Sequence, residues 1–173
     1  MITLFVEENN PLTPTFYNSF ISKLQFHQLS CTCGLAGTLS IHGYYYRFIK
    51  AGSEKLCFRI CRVLCAHCGK THALLLSSMV PYSQLSLKDH LEVIDAFESQ
   101  ESTASLLKSN NTLDESTIRY VIRSYCRHWK HRILSLGISI FPSSLLTRQC
   151  FAHYLRQFMQ IKLSPNYLFL NTT

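Results

Sequence analysis

The sequence predicts an α+β chain, a small zinc-ribbon β module followed by an all-helical, helix-turn-helix-like domain, and three observations carry that expectation. Two tight cysteine pairs, Cys31-Thr-Cys33-Gly and Cys65-Ala-His-Cys68-Gly, flank 31 residues whose Tyr, Phe and Ile alternate as they do in strands. Beyond Pro81-Tyr82-Ser83 the apolar residues recur at helical intervals instead. All ten acidic residues lie before position 116, whereas residues 116–173 carry eight Lys or Arg and no acid. With 173 residues, 47% hydrophobic and 16% charged, the chain has the composition of a folded protein of one or two small domains. The boundaries read as 25–80 for the ribbon, 81–135 for the helix-turn-helix-like domain and 136–173 for a C-terminal helix and tail packing on it.

The first ten residues hold Glu7 and Glu8 and no basic residue, unlike a signal or transit segment, and apolar clusters such as Ala73 to Leu76 are too short to span a bilayer. A cytoplasmic protein with no membrane partner is therefore expected. In that compartment four cysteines grouped as C-x-C and C-x2-C point to metal rather than to disulfides. Glycine after each pair permits the sharp turn that aims two sulfurs at one point. Cys31, Cys33, Cys65 and Cys68 are the expected ligands of one structural Zn2+, a closed tetrahedral site with no position for water or substrate. The C-x-C spacing is tighter than the usual interval, and His67 and His72 stand open as replacements for a thiolate.

Between the pairs, residues 38–49 read as one strand, Ala51 to Glu54 as a turn and residues 55–64 as the return strand, with a third strand over 71–76. In the return strand Leu56, Phe58, Ile60, Arg62 and Leu64 share one face, and Cys57, Arg59, Cys61, Val63 and Cys65 the other. Cys57 and Cys61 read as small buried hydrophobes. His42, followed by Gly43, reads as a residue that orients the hairpin.

Ser86 with Asp89 forms a capping box for a helix whose Leu87, Leu91, Ile94 and Phe97 make one apolar face. A short helix fits 103–108, polar residues 109–112 end it, and Asp114 opens a third helix running to about Arg132. Two helices of unequal length joined by a short polar turn suit a helix-turn-helix. Its longer helix begins with Ser116, Thr117, Arg119 and Arg123, and Arg127, Lys130 and Arg132 extend a basic surface, while Ile118, Val121, Ile122, Tyr125 and Trp129 supply packing. Arg59 and Arg62 add basic residues from the ribbon. These side chains suit double-stranded DNA, base edges by arginine and phosphates by the rest. Pro142 interrupts the pattern after Gly137, and residues 144–162 read as a last helix whose apolar surface closes the domain or forms a dimer face, with Tyr167 to Leu170 packed against it.

The strings Cys31 to Gly37, His42 to Arg47, Arg59 to Leu76 and Val80 to Tyr82 resemble a family of small proteins and N-terminal regions found with bacterial, chiefly firmicute, mobile elements, which join a cysteine ribbon to a transposase-like helix-turn-helix. The resemblance covers roughly residues 25–130. It implies the same four zinc ligands, with Arg59 and Arg62 where basic ribbon residues occur. A transposase, or a second copy of the chain through the apolar last helix, is the expected protein partner. A transposase nuclease needs three convergent carboxylates for two metal ions, and the acidic residues here show no such spacing. The expected function is a non-enzymatic DNA-binding regulator or end-recognition accessory. The alternatives are an interaction adaptor with a structural zinc site and a nuclease or recombinase fragment.

Overall fold

Alternating apolar and polar residues between the cysteine pairs produce a long antiparallel hairpin of β2 (Leu39–Ala51) and β3 (Glu54–Cys65). It belongs to the first of two units, Met1–Ser86, in a computed structural model that describes residues 1–7, 9–51, 54–141, 143–154 and 159. β4 (Thr71–Leu76) pairs antiparallel with β3, and β1 (Ile2–Leu4) pairs parallel with β4, giving the sheet order β1-β4-β3-β2. The hairpin register shifts between Ile41 and Gly43, a bulge that places His42 outside the regular pairing.

The N-terminal segment supplies two elements that the sequence pattern does not assign, β1 and the helix α1 (Pro14–Ser22). α1 starts as physical chemistry dictates, with Pro14 in its first turn and the Thr13 hydroxyl accepting from the Phe16 N–H at 3.2 Å. Its Tyr17 is fully buried, packs edge-on against Phe58, and carries its hydroxyl to a place between β3 and β4. There the oxygen accepts from the Cys61 N–H at 2.9 Å and donates to the Leu74 carbonyl at 3.0 Å. The β3–β4 ladder runs only from Arg62–Ala73 to Leu64–Thr71, so the Tyr17 hydroxyl replaces its next rung. Burial raises the Tyr17 pKa strongly, which keeps the phenol neutral. Tyr17→Phe leaves both backbone groups without this partner, so it should lower stability by about 1–3 kcal/mol. Denaturant unfolding of the two proteins checks this.

The core of this unit joins Leu4, Val6, Tyr17, Ile21, Ile49, Phe58, Ile60, Val63, Leu74, Leu75 and Leu76. β3 is buried on both of its expected faces, through Phe58 and Ile60 on one and Cys61, Val63 and Cys65 on the other. Cys61 is thus buried as expected. Cys57 is not: it is exposed, because it lies in the outer half of the hairpin opposite Phe48, which is itself exposed.

The second unit, Leu87–Thr173, is helical among its described residues. α2 (Leu87–Glu98), α3 (Thr103–Ser109) and α4 (Glu115–Ser124) pack on one another, with Val93, Ile94, Leu106, Leu113, Ile118 and Val121 buried. α4 does not continue as a regular helix to Arg132. A π-helical turn, Tyr125–Trp129, intervenes before α5 (Lys130–Ser135). Gly137 ends α5 with a left-handed φ of +66°, while the Ile138 N–H reaches back to the Ile133 carbonyl at 3.1 Å. The last described helix is α6 (Ser143–Tyr154). Pro142, residues 155–158 and 160–162, and the Tyr167–Leu170 segment expected to pack on the last helix lie outside the described residues.

Candidate metal centre and nucleic-acid face

Each cysteine pair sits in a tight loop closed by the same backbone device. In the first, the Gly34 N–H donates to the Cys31 carbonyl at 2.9 Å and the Cys31 N–H to the Leu35 carbonyl at 2.8 Å. In the second, the Gly69 N–H donates to the Cys65 carbonyl at 2.9 Å and the Cys65 N–H to the Lys70 carbonyl at 3.0 Å. Gly34 and Gly69 have φ of +94° and +67°, and a Cβ on either would meet nothing within 4 Å. Backbone conformation rather than crowding therefore requires glycine at both. The hairpin register joins the two loops by pairing Leu39 with Cys65, and the Ala66 N–H donates to the Thr38 carbonyl at 2.8 Å.

The result is a cluster in which the four Sγ atoms of Cys31, Cys33, Cys65 and Cys68 all lie within 4.8 Å of one another. Cys31 and Cys68 are 3.7 Å apart, and Cys33 and Cys65 are 3.9 Å apart. Four sulfurs arranged tetrahedrally at about 2.3 Å from one ion are about 3.8 Å from each other, so the spacing fits a single metal. The donor set is soft and holds no carboxylate, which suits zinc or another thiophilic ion.

The surroundings favour thiolate at Cys65. The Thr38 hydroxyl lies 3.2 Å from Cys65 Sγ, and with backbone N–H groups of Cys68 and His67 it draws the Cys65 thiol down to about 6. The Lys70 N–H pulls Cys68 the same way, but burial and the crowding of neighbouring thiols carry it up to about 11. Such opposed shifts are expected where several thiols share one point and the first to ionise raises the cost for the next. A cation at the centre removes that repulsion. His67 is exposed and stands outside the cluster, and the grouped donors are the four cysteines. His72 is buried with Nε2 3.3 Å from Cys31 Sγ, where it can hydrogen-bond a ligand from outside. Burial lowers its pKa, favouring the neutral ring. Its place on β4 opposite Val63 comes from the sheet register, which the local spacing of the sequence does not reveal.

In the helical unit, three local devices fix the helix order. α2 closes with Gln100 at φ +57°, the Glu101 N–H donating to the Ala96 carbonyl at 2.8 Å. The Ser102 hydroxyl then caps α3, accepting from the Ser105 N–H at 3.1 Å. Asn110 Nδ2 donates to Asp89 Oδ1 at 3.1 Å and Glu92 Oε2 at 2.6 Å, while its own Oδ1 accepts from the Thr112 N–H at 2.9 Å. That side chain ties the α3–α4 turn to α2. Asn110→Leu abolishes all three bonds beside two carboxylates, so it should lower the unfolding midpoint of the helical unit by the equivalent of about 2–3 kcal/mol, measurable by thermal unfolding.

α4 turns Ile118 and Val121 inward and leaves Ser116, Arg119, Tyr120 and Arg123 exposed. Arg127, in the π turn, is exposed as well. Arg119 pairs with Glu115 at 3.0 Å, both well solvated, a contact worth only a few tenths of a kcal/mol. Ser116 Oγ and Thr117 Oγ1 both donate to Asp114 Oδ1, at 2.6 and 2.9 Å, within the helix cap. Lys130 does not extend the row. Its Nζ lies 2.8 and 3.2 Å from the two carboxylate oxygens of Glu98 and over the rings of Phe97 and Tyr125. The extra residue accommodated by a π turn rotates the rest of the helix by about 100°, which brings Lys130 round and leaves His131 exposed. Arg132 is half-buried, its guanidinium 5.6 Å from the centre of the Tyr154 ring. In the first unit, Arg59 is exposed and stacks 3.9 Å above Tyr44, and Arg62 donates to Thr71 Oγ1 at 2.9 Å.

The family described as Domain of unknown function (DUF6431) matches residues 30–121, more than half of the chain. The chain belongs to this family. The matched residues take in all four cysteines, Arg59, Arg62, Ser116, Thr117 and Arg119, whereas Arg123, Arg127, Lys130 and Arg132 lie beyond them. No curated protein and no solved structure matches the chain. Among the described residues no helix is long and apolar enough to cross a membrane.

Proposed function

We propose that the chain is a non-enzymatic, sequence-directed duplex-DNA-binding protein of the mobile-element type, a regulator or end-recognition accessory acting in the cytoplasm. In this reading Zn2+ on Cys31, Cys33, Cys65 and Cys68 staples the first unit as a zinc ribbon, and α2, α3 and α4 work as a helix-turn-helix. The observation that carries it is the outer face of α4. Arg119, Tyr120 and Arg123 project from the side opposite buried Ile118 and Val121, and no acidic residue comes after Glu115. A helix so polarised can enter a major groove with its arginines at guanine edges. The exposed Arg119–Glu115 pair is weak enough to exchange for a DNA contact.

Of the basic residues, Arg119 and Arg123 are the base readers in this proposal, with Arg127 on the backbone and Ser116 and Thr117 at the phosphate-facing helix start. Lys130 and Arg132, engaged with Glu98 and Tyr154, contribute to the field more than to direct contact. Arg59 and Arg62 add basic character from the ribbon. A transposase or a second copy of the chain is the expected protein partner. Gel shifts with mobile-element ends and random competitor, run at several salt concentrations, test the reading. Saturable, salt-sensitive binding that prefers the element ends supports it, and equal binding of every duplex removes the sequence-directed part.

A second reading, an interaction adaptor, is favoured by the exposure of Leu134, Leu136 and Leu145 in the helical unit. A stoichiometric protein partner with no affinity for DNA would select it.

A further inference from the structure

A sheet with one packed face normally turns polar side chains to solvent on the other, and the part of the β2–β3 hairpin beyond buried Cys61 breaks that rule. Ile49, Phe58 and Ile60, on one face, are wholly buried. The opposite face carries Tyr44, Tyr46 and Phe48, which are 43%, 70% and 50% exposed. Cross-strand register puts Arg59 opposite Tyr46, Cys57 opposite Phe48 and Lys55 opposite Lys50 on that same open face. Arg59 already lies over the Tyr44 ring. Among the described residues of the hairpin, the open face thus holds three aromatic rings, three cations and no carboxylate.

We propose that this face binds single-stranded nucleic acid, with bases stacked on Tyr44, Tyr46 and Phe48 and the backbone phosphates drawn to Arg59, Lys55 and Lys50. Alternate residues of a strand stand about 6.8 Å apart, twice the roughly 3.4 Å separation of stacked bases, so one base fits between each pair of successive rings. Unpaired bases offer their π faces to protein rings, while those of a duplex are already stacked. Charge argues against a second copy of the same face. An isologous contact would bring Lys50, Lys55 and Arg59 against their own equivalents with no acid of that face to meet them. The site is distinct from α4 and holds whether or not α4 reads duplex DNA.

The test is fluorescence anisotropy of a labelled oligothymidylate of roughly a dozen nucleotides, titrated with the metal-loaded full chain and with Tyr46→Ala, Phe48→Ala, Tyr46→Phe and Arg59→Ala. Each ring lost to Ala should weaken binding about tenfold, Tyr46→Phe should retain it, and Arg59→Ala should flatten its salt dependence. Because these side chains are exposed, metal content and circular dichroism should be unchanged and serve as controls for folding. Affinity for duplex DNA should survive in the Tyr46 and Phe48 variants, and Arg123→Ala should leave the oligothymidylate affinity intact. Wild-type-like oligothymidylate binding by both alanine ring variants overturns the proposal. A dimer that Tyr46→Ala dissolves without altering oligonucleotide affinity also overturns it, by assigning the face to protein.

Discussion

Replacing Cys65 with Ser should release the metal and unfold the outer part of the first unit. Cys65 is at once a cluster donor, the residue that pairs with Leu39 and the closing donor of the second loop. Its side chain is fully buried. Serine retains the backbone bonds but not the thiolate, and in a site of this class binding free energy on the order of 10 kcal/mol is available only through the ion. The expected result is the loss of one metal equivalent per chain by elemental analysis, together with loss of hairpin protection in hydrogen exchange. The same loss should accompany acidification, since a thiol must shed its proton to hold a metal. Cys57→Ser is the matched control. Cys57 is exposed in the outer hairpin, apart from the cluster, so its loss should leave metal content unchanged.

Arg119→Ala and Arg123→Ala should each cost about 1–3 kcal/mol of affinity for a preferred duplex and relax preference at the base pair each one reads. Both side chains are exposed on a helix whose packing face is elsewhere, so folding should be spared. Lys130→Ala should behave differently. Its partners are Glu98 and two aromatic rings rather than open solvent, and its removal should weaken all duplexes slightly and equally. Affinities for specific and random duplex at one fixed salt concentration separate these outcomes.

The parts of this molecule that are legible in the sequence are those set by local rules. C-x-C-G and C-x2-C-G announce two tight turns, and both glycines adopt the left-handed backbone that their position after a cysteine pair suggests. The alternation over residues 39–65 and the helical spacing over 87–124 likewise become β2, β3, α2, α3 and α4. The illegible parts depend on long-range pairing or on departures from a regular period. β1 is three residues long and gains its meaning only by lying beside β4, more than seventy positions away. α1 does carry a signal, Thr13-Pro14 ahead of Phe16, Tyr17, Phe20 and Ile21, but the link from the Tyr17 hydroxyl to Cys61 and Leu74 is tertiary. The π turn at Tyr125–Trp129 has no sequence signature, and by rotating the helix it removes Lys130 from the row where regular spacing places it. Cys57 illustrates the same limit within a strand. Alternation groups it with Cys61, but one is exposed and the other buried, because cover over that face ends between them.

Duplex recognition by α4 is tested most directly by binding-site selection from a randomised duplex pool with the zinc-loaded full chain, and then by a salt titration of the recovered sequence. It predicts a shared motif, steep weakening as salt rises, and loss of the motif's enrichment when Arg119 and Arg123 are both replaced by Ala. A pool that stays random after repeated rounds, or a motif that the double variant recovers as efficiently as the wild type, would contradict it.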